Sequence, residues 1–323
     1  MPGPIAEAAA PIALSDGWLA MGTFFEADLR VPASQAETAQ DWLRLARTEI
    51  SRLERVYSRH DPNSELSRLN RFLAGADGAA IRLGPDLVTL LEDAQRFRYA
   101  TGGAFDISIG PLVKLWSEAA RQGREPSAEA LQHARSRVGL EQLEVSGEGW
   151  LRIARRGRRL DLDAISKGAV LDELRESFVQ RFPDGAALLS FGQSSVVAIG
   201  DPDGGGWRLV LRSRDPAQGI LGEIRLRDQA LSMSSRLGQE RQIEGRVVSH
   251  VLDPRTGQPV EGTLEAVVIA ATARSADAWS TALLILGAVP TGLERARIHE
   301  LEVLIIEQTG RVRRTPGWPQ IEN

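Results

Sequence analysis

Between residues 186 and 271 the chain reads as strand after strand with no helix between them. Short apolar runs near 186–191, 195–200, 207–213, 221–227, 247–252 and 264–271 alternate with turn residues, among them the glycine-rich surface turn from Asp201 to Gly206. Helical patterns flank this block instead of alternating with its strands. That arrangement predicts an α+β protein, with mixed or antiparallel sheets and packed helices, rather than a doubly wound sheet.

The flanking segments follow the same logic. Gly17 to Val31 reads as strand, turn, strand, broken at Met21-Gly22-Thr23. Ser34 and Glu37 have the spacing of a capping box, ahead of a helix with Trp42, Leu43, Ala46, Ile50, Leu53 and Val56 at helical period. Further helices are expected at Glu65 to Phe72, at Pro85 to Ala100 (closed by Gly102-Gly103), and over about 127–137, 166–182, 275–286 and 291–298. Three short strands are expected near 142–163, and Leu301 to Glu307 reads as the last strand. Residues 1–17 read as a disordered or loosely docked arm, and 18–323 as a single domain, since no linker or repeat divides them.

Composition removes several functions. The chain has no cysteine, which excludes disulfides, cysteine–zinc sites, a thiol nucleophile and a cysteine-anchored lipid. A net charge of −4 points to no nucleic-acid partner. No apolar run is long enough for a membrane span, and the first ten residues lack the basic and apolar regions of a signal peptide. A cytoplasmic location is expected, or a periplasmic one if the N-terminus is trimmed. Of 39 basic residues only Lys114 and Lys167 are lysine. A lysine kept in an arginine-rich chain marks a place that needs a compact ammonium.

Four segments carry chemistry. Ser249-His250-Val251-Leu252-Asp253-Pro254-Arg255-Thr256-Gly257 brings a histidine from an apolar, strand-like run into a tight polar turn; it also reads as a hairpin end. Asp277 and Thr281 share one helix face and offer two oxygens to a hard cation, or form an ordinary acidic first turn. Asp161 and Asp163 end a strand where Lys167 and Gly168 begin a helix, which suits a phosphate or a simple cap at Asp163 or Ser166. Thr101 to Ser108 sets Asp106 among apolar neighbours behind paired glycines. No P-loop, dinucleotide-binding glycine motif, nucleophile elbow or His-x-x-x-His pair is present.

In this order these segments resemble the ApbE family of FAD:protein FMN transferases. The matching pieces are Met21-Gly22-Thr23, Ser58 through Asn70, Gly103 through Leu112, Asp161 through Asp172, His250 through Gly257 and Asp277 through Thr281. They span residues 18 to 308. The resemblance implies an ApbE-like flavin transferase fold, FAD as substrate, Mg²⁺, and transfer of FMN to a threonine hydroxyl of an acceptor protein with release of AMP. It implies flavin-nucleotide contacts from Met21, His60, Ala104, Phe105, Asp106, Asp161, Lys167, His250 and Val251. The cation falls to Asp277, Thr281 and a main-chain oxygen of Ala164, and His250 is the general base. An FAD pyrophosphatase giving FMN and AMP, or a flavin-binding protein without turnover, uses the same parts. Three places depart from the family: His60 replaces a tyrosine, Gly192-Gln193-Ser194 replaces Gly-Gly-Asn or Gly-Gly-Asp, and Met233-Ser234-Ser235-Arg236-Leu237 replaces Thr-Ser-Gly-x-Tyr.

Overall fold

The first described element is a hairpin of β1 (Ile12–Ala20) and β2 (Thr23–Val31), joined by Met21 and Gly22. The computed structural model describes residues 11–75, 80–140, 143–146, 148–153, 156–192, 194–238 and 240–319. Both turn residues have positive φ, 50° at Met21 and 71° at Gly22, the turn geometry whose twist matches the strands it joins. Phe25, Ala27, Leu29 and Val31 of β2 are buried and alternate with more exposed residues, as period-2 geometry requires. β1 starts five residues before Gly17, where the sequence placed it. Ile12 and Leu14 rest against the core, so residues 12–17 belong to the sheet and not to an arm; residues 1–10 lie outside the described residues.

The chain continues through α1 (Ala36–Tyr57), α2 (Glu65–Gly75), β3 (Ala80–Arg82), α3 (Pro85–Ala100), α4 (Gly110–Gln122), α5 (Ala128–Arg135), β4 (Leu143–Val145) and β5 (Trp150–Ile153). Next come α6 (Ser166–Arg181), β6 (Ala186–Phe191), β7 (Ser195–Ile199), β8 (Trp207–Arg212), β9 (Ile220–Leu226) and β10 (Gln229–Ser235). The last elements are β11 (Arg241–Ile243), β12 (Arg246–Val248), β13 (Thr263–Ala270), α7 (Ala273–Leu286), α8 (Pro290–Ile298), β14 (Glu302–Glu307) and β15 (Val312–Arg314).

Eight strands form one sheet in the order β1-β2-β6-β7-β10-β13-β14-β15, and each neighbouring pair is antiparallel. The expected α+β class holds. The central strand β13 is buried along its whole length. Its Ala266, Val268 and Ala270 join the core under the helices, while Val267 and Ile269 join a second core with Trp207, Leu211, Ile224 and Leu226 of the β8–β9 ribbon. A strand covered on both faces reads as a continuous apolar run, which is why β13 was visible in the sequence.

Several expectations need correction. The Ser34/Glu37 box does not form: Ser34 lies in a 3₁₀ turn and α1 starts after Gln35 with no side-chain cap. Among the described residues near 142–163 two strands form where three were expected; at the end of the range the backbone at Leu160 bonds to the Asn70 side chain and the Asp161 amide donates to Ile107. The expected strand 247–252 breaks at Val248, and Leu252 makes one isolated bridge to Pro259. α4, β3, β10, β11 and β15 were not expected.

Two helices hold the site in place. α6 has no side-chain cap of its own at Ile165, so neither Asp163 nor Ser166 caps it. Its Gly168 N–H donates instead to Asp277 Oδ2 of α7 at 2.7 Å. In return Asp172 of α6 accepts from the Ala273 and Arg274 amides at the start of α7, at 2.7 and 3.1 Å. Each helix supplies the carboxylate that satisfies the other's free amides. The contact leaves no room for a side chain at Gly168, since a Cβ there would lie 2.6 Å from the Arg274 nitrogen and closer still to the Ala273 carbonyl. Gly168→Ala is expected to cost about 1–3 kcal/mol, the usual range for overpacking, read as a lower urea midpoint. An unchanged midpoint would show that the two helices separate freely.

Candidate active site

A cleft of about 830 Å³ opens where the Met21 turn, the loops before α2 and α4, the start of α6, strand β10 and helix α7 converge. Met21, His60, Ala104, Phe105, Asp106, Asp161, Ala164, Lys167, His250, Val251, Asp277 and Thr281 all line it. The fold therefore brings together every residue that the resemblance assigns to the nucleotide or the cation, whereas Lys114, the other lysine, is not on this lining.

Asp277 forms the floor. It is in the second turn of α7, not the acidic first turn, and is almost fully buried. Oδ1 accepts from Ser195 Oγ at 2.8 Å and Oδ2 from the Gly168 amide. Burial pushes its pKa up to about 6, against the pull of Ser232, Ser195, Gly168 and the Lys167 charge. Thr281, one turn on, lies 3.2 Å from Ser234 Oγ through its Oγ1. Serine hydroxyls surround this floor: Ser234 to Ser280 is 2.8 Å and Ser232 to Ser280 is 3.2 Å. Among the described residues no three His, Cys, Asp or Glu side chains cluster as a metal set. One carboxylate among neutral oxygens is instead a donor set for a hard cation that takes its other ligands from water and phosphate.

Asp161 and Asp163 form a second acidic wall, tethered by Arg59, whose guanidinium lies 3.5 Å from Asp161 and 2.6 Å from Asp163. Burial, helped by the Asp163 charge, pushes Asp161 up to about 6 against the Arg59 charge. Asp106 faces the cleft, yet its carboxylate is committed. Oδ1 accepts from the Ser108 amide and hydroxyl at 2.8 and 2.6 Å, and Oδ2 accepts from Arg98 at 2.7 Å. The segment Ala104-Phe105-Asp106 thus presents a fixed backbone edge. Lys167 stands in the first turn of α6, and Ala164 in the turn that leads into that helix. His60 is exposed at the rim.

His250 follows the end of β12 in a loop whose Asp253 accepts from the Arg255 amide at 2.8 Å, the expected Asp-Pro turn. Desolvation, then the charges of Arg241 and Arg214, hold the imidazole below the usual histidine range, partly opposed by a hydrogen bond with the Arg236 backbone. The ring is therefore neutral at pH 7 and able to accept a proton. Its Nδ1 is buried and has no partner among the described residues.

Sequence reasoning missed Arg214, Arg241, Ser232 and Ser280 in this cleft, and gave Ser195 and Ser234 no definite role. The serines left a trace, since Ser232 and Ser234 alternate with Leu231 and Met233 as an inward polar face would. Arginine is too common in this chain for Arg214 or Arg241 to stand out. Of the three family departures, His60, Ser194 and Met233 with Ser234, Ser235 and Leu237 line the cleft; Gln193 lies outside the described residues.

The model of the ApbE family matches residues 21–305. The chain belongs to the ApbE family. It is 28% identical over 316 residues to an Escherichia coli K12 protein named FAD:protein FMN transferase, covering 94% of this chain and 86% of that protein. A Salmonella typhimurium protein of the same name is 29% identical over 315 residues, covering 94% and 86%. Among solved structures, the ApbE protein of Thermotoga maritima superposes with a TM-score of 0.82 at 22% identity, over 94% of this chain and 97% of that one. The apo flavinyl transferase ApbE of Pseudomonas stutzeri gives 0.80 at 23% identity, over 95% and 96%. The α+β architecture of this ApbE-family chain is thus that of its structural neighbours. None of its helices, among the described residues, is long and apolar enough to cross a membrane.

The raised Asp277 pKa fixes a sign. Between about pH 4 and pH 6 the folded protein holds a proton there that the unfolded chain has lost. This contribution to stability is full below the unfolded pKa and is lost as pH rises through 6. Asp277→Asn should therefore be more stable than wild type at about pH 7.5 in EDTA, by up to about 3 kcal/mol, and the gap should close toward pH 4. Urea midpoints of both proteins across this range check it; a variant less stable at pH 7.5 contradicts it.

Proposed function

We propose that this ApbE-family chain transfers the FMN moiety of FAD to a threonine or serine hydroxyl of an acceptor protein, releases AMP, and depends on Mg²⁺. What carries the reading is the gathering, in one cleft, of a buried carboxylate among hydroxyls, a neutral imidazole and a lysine in a helix's first turn. The names of the curated relatives support the same reaction.

The chemistry is displacement at phosphorus. The acceptor oxygen bonds to the phosphorus of the FMN half, the anhydride bond to the AMP phosphate breaks, and AMP leaves with the electron pair. His250 takes the hydroxyl proton, a role its depressed pKa supports because the neutral ring keeps one nitrogen lone pair available. Lys167 supplies a compact positive charge, and the first amides of α6 add their dipole. Asp277, with Thr281 and the Ala164 carbonyl, would hold Mg²⁺, which offsets charge on the phosphate oxygens when bound. The Ala104-Phe105-Asp106 edge and Met21 would orient the flavin nucleotide, and the Arg59-tethered Asp161 would contact it.

The first test is incubation with FAD and Mg²⁺, with and without a candidate acceptor, followed by assay of AMP, free FMN and protein-bound flavin. Acceptor-dependent protein-bound flavin and equimolar AMP are expected, both lost in EDTA and in Asp277→Ala. Free FMN with AMP and no bound flavin would make the chain a pyrophosphatase, and FAD bound without products would make it a carrier. Full activity in EDTA would remove the metal.

His250→Ala is expected to slow covalent transfer by roughly 10²–10⁴-fold, the range for a lost general base, with FAD affinity little changed. A large loss of affinity at an unchanged maximal rate would make His250 a binding residue instead.

A further inference from the structure

Arg241 differs from the other charged groups of the cleft. Arg59 on the same lining is neutralised by Asp161 and Asp163. Arg241, at the start of β11, is partly buried, and its Nη1 is shielded from solvent with no hydrogen-bond partner among the described residues. A guanidinium donor left unmatched in this way costs free energy. The same short strand buries Ile243 completely, so an apolar residue would pack here without that cost. Arg214 stands on the same lining, its amide taken by Glu265 Oε1 at 2.6 Å. Both guanidinium charges act on His250, and all three residues line the same cleft.

An unmatched fork of N–H donors, with a second cation on the same wall, is suited to a phosphate, whose oxygens a guanidinium can hold in pairs. We propose that Arg241, assisted by Arg214, is a specificity-determining residue that binds a phosphate of the dinucleotide substrate beside His250; this rests on the flavin-transfer reading above. The bound phosphate satisfies the orphaned Nη1. It also offsets the two positive charges that disfavour protonation of the imidazole, so His250 becomes a better proton acceptor once substrate is seated. Burial and the Arg59 charge disfavour the charged form of Arg241 itself, and a bound anion relieves that penalty as well.

The test compares wild type, Arg241→Gln and Arg241→Lys by flavin fluorescence, with FAD, riboflavin and inorganic pyrophosphate as probes. Arg241→Gln should weaken FAD binding about 10- to 100-fold, as expected for a lost hydrogen bond to a charged group. Riboflavin, which has no phosphate, should bind both proteins alike, and pyrophosphate should displace FAD from wild type far better than from the variant. Arg241→Lys should recover part of the loss. Because the charge is costly to bury, Arg241→Gln should melt no lower than wild type, whereas a structural arginine would lower the melting temperature. Equal FAD affinity in wild type and Arg241→Gln overturns the proposal, as does an equal loss for riboflavin and FAD. A wild-type protein that binds no FAD overturns the flavin-transfer reading, and this inference with it.

Discussion

The exchange of carboxylates between α6 and α7 is the interaction on which the rest of the site depends. Asp277 accepts from Gly168 in the first turn of α6, and Asp172 accepts from the first amides of α7. Arg274 ties the exchange to α3, donating to Asp172 at 2.7 Å and to Asp93 at 2.8 Å. Because Gly168 lets the backbones meet, α7 can extend Asp277 beneath the start of α6. Lys167, Ala164 and Asp161 are thereby fixed over the same floor. Residues that are 116 positions apart, Asp161 and Asp277, come to line one cleft through this single packing contact.

The cleft is assembled against its own electrostatic preference. Asp277 and Asp161 are both pushed up to about 6 by burial, while His250 and Arg241 are pushed down by it. Groups of both signs are thus held where their charged forms are disfavoured. A structure tolerates such costs where ligands cancel them, and a phosphate with a cation supplies both missing signs at once.

The sequence revealed elements whose signal is local. β2, α1 and β13 show clean periodicity or long apolar runs, and Asp253-Pro254 shows its turn directly. β10 was hidden because its inward face is serine, so the alternation reads as polar loop; the reason it is polar is that Ser232 and Ser234 face α7 at the site. α4 was hidden by Gly110-Pro111, which marks a break in sequence but forms its first turn here. The site residues were legible through their motif order, yet the Asp106 carboxylate turns out to be committed to Ser108 and Arg98. Arg241 was not legible, because its Nη1 stands out only by having no partner among the described residues, and only the packed structure shows that.

The serine-lined floor is a surround in which one carboxylate could serve a cation without a second acid. Ser195 donates to Asp277 Oδ1, and Ser280, Ser232, Ser234 and Thr281 form a chain of hydroxyls no more than 3.2 Å apart. A hydroxyl both donates and accepts, and its hydrogen turns at little cost. Without a cation, the hydroxyls can point toward the carboxylate and solvate it in place of water. With a cation bound, rotation of the hydrogens would present their lone pairs, and Thr281 would be the hydroxyl offered as a ligand. A second aspartate in place of Ser234 would bind a cation more tightly, but in its absence the two buried carboxylates would repel. A neutral, rotatable wall would hold a cation weakly, which would suit one that arrives together with phosphate and leaves with product.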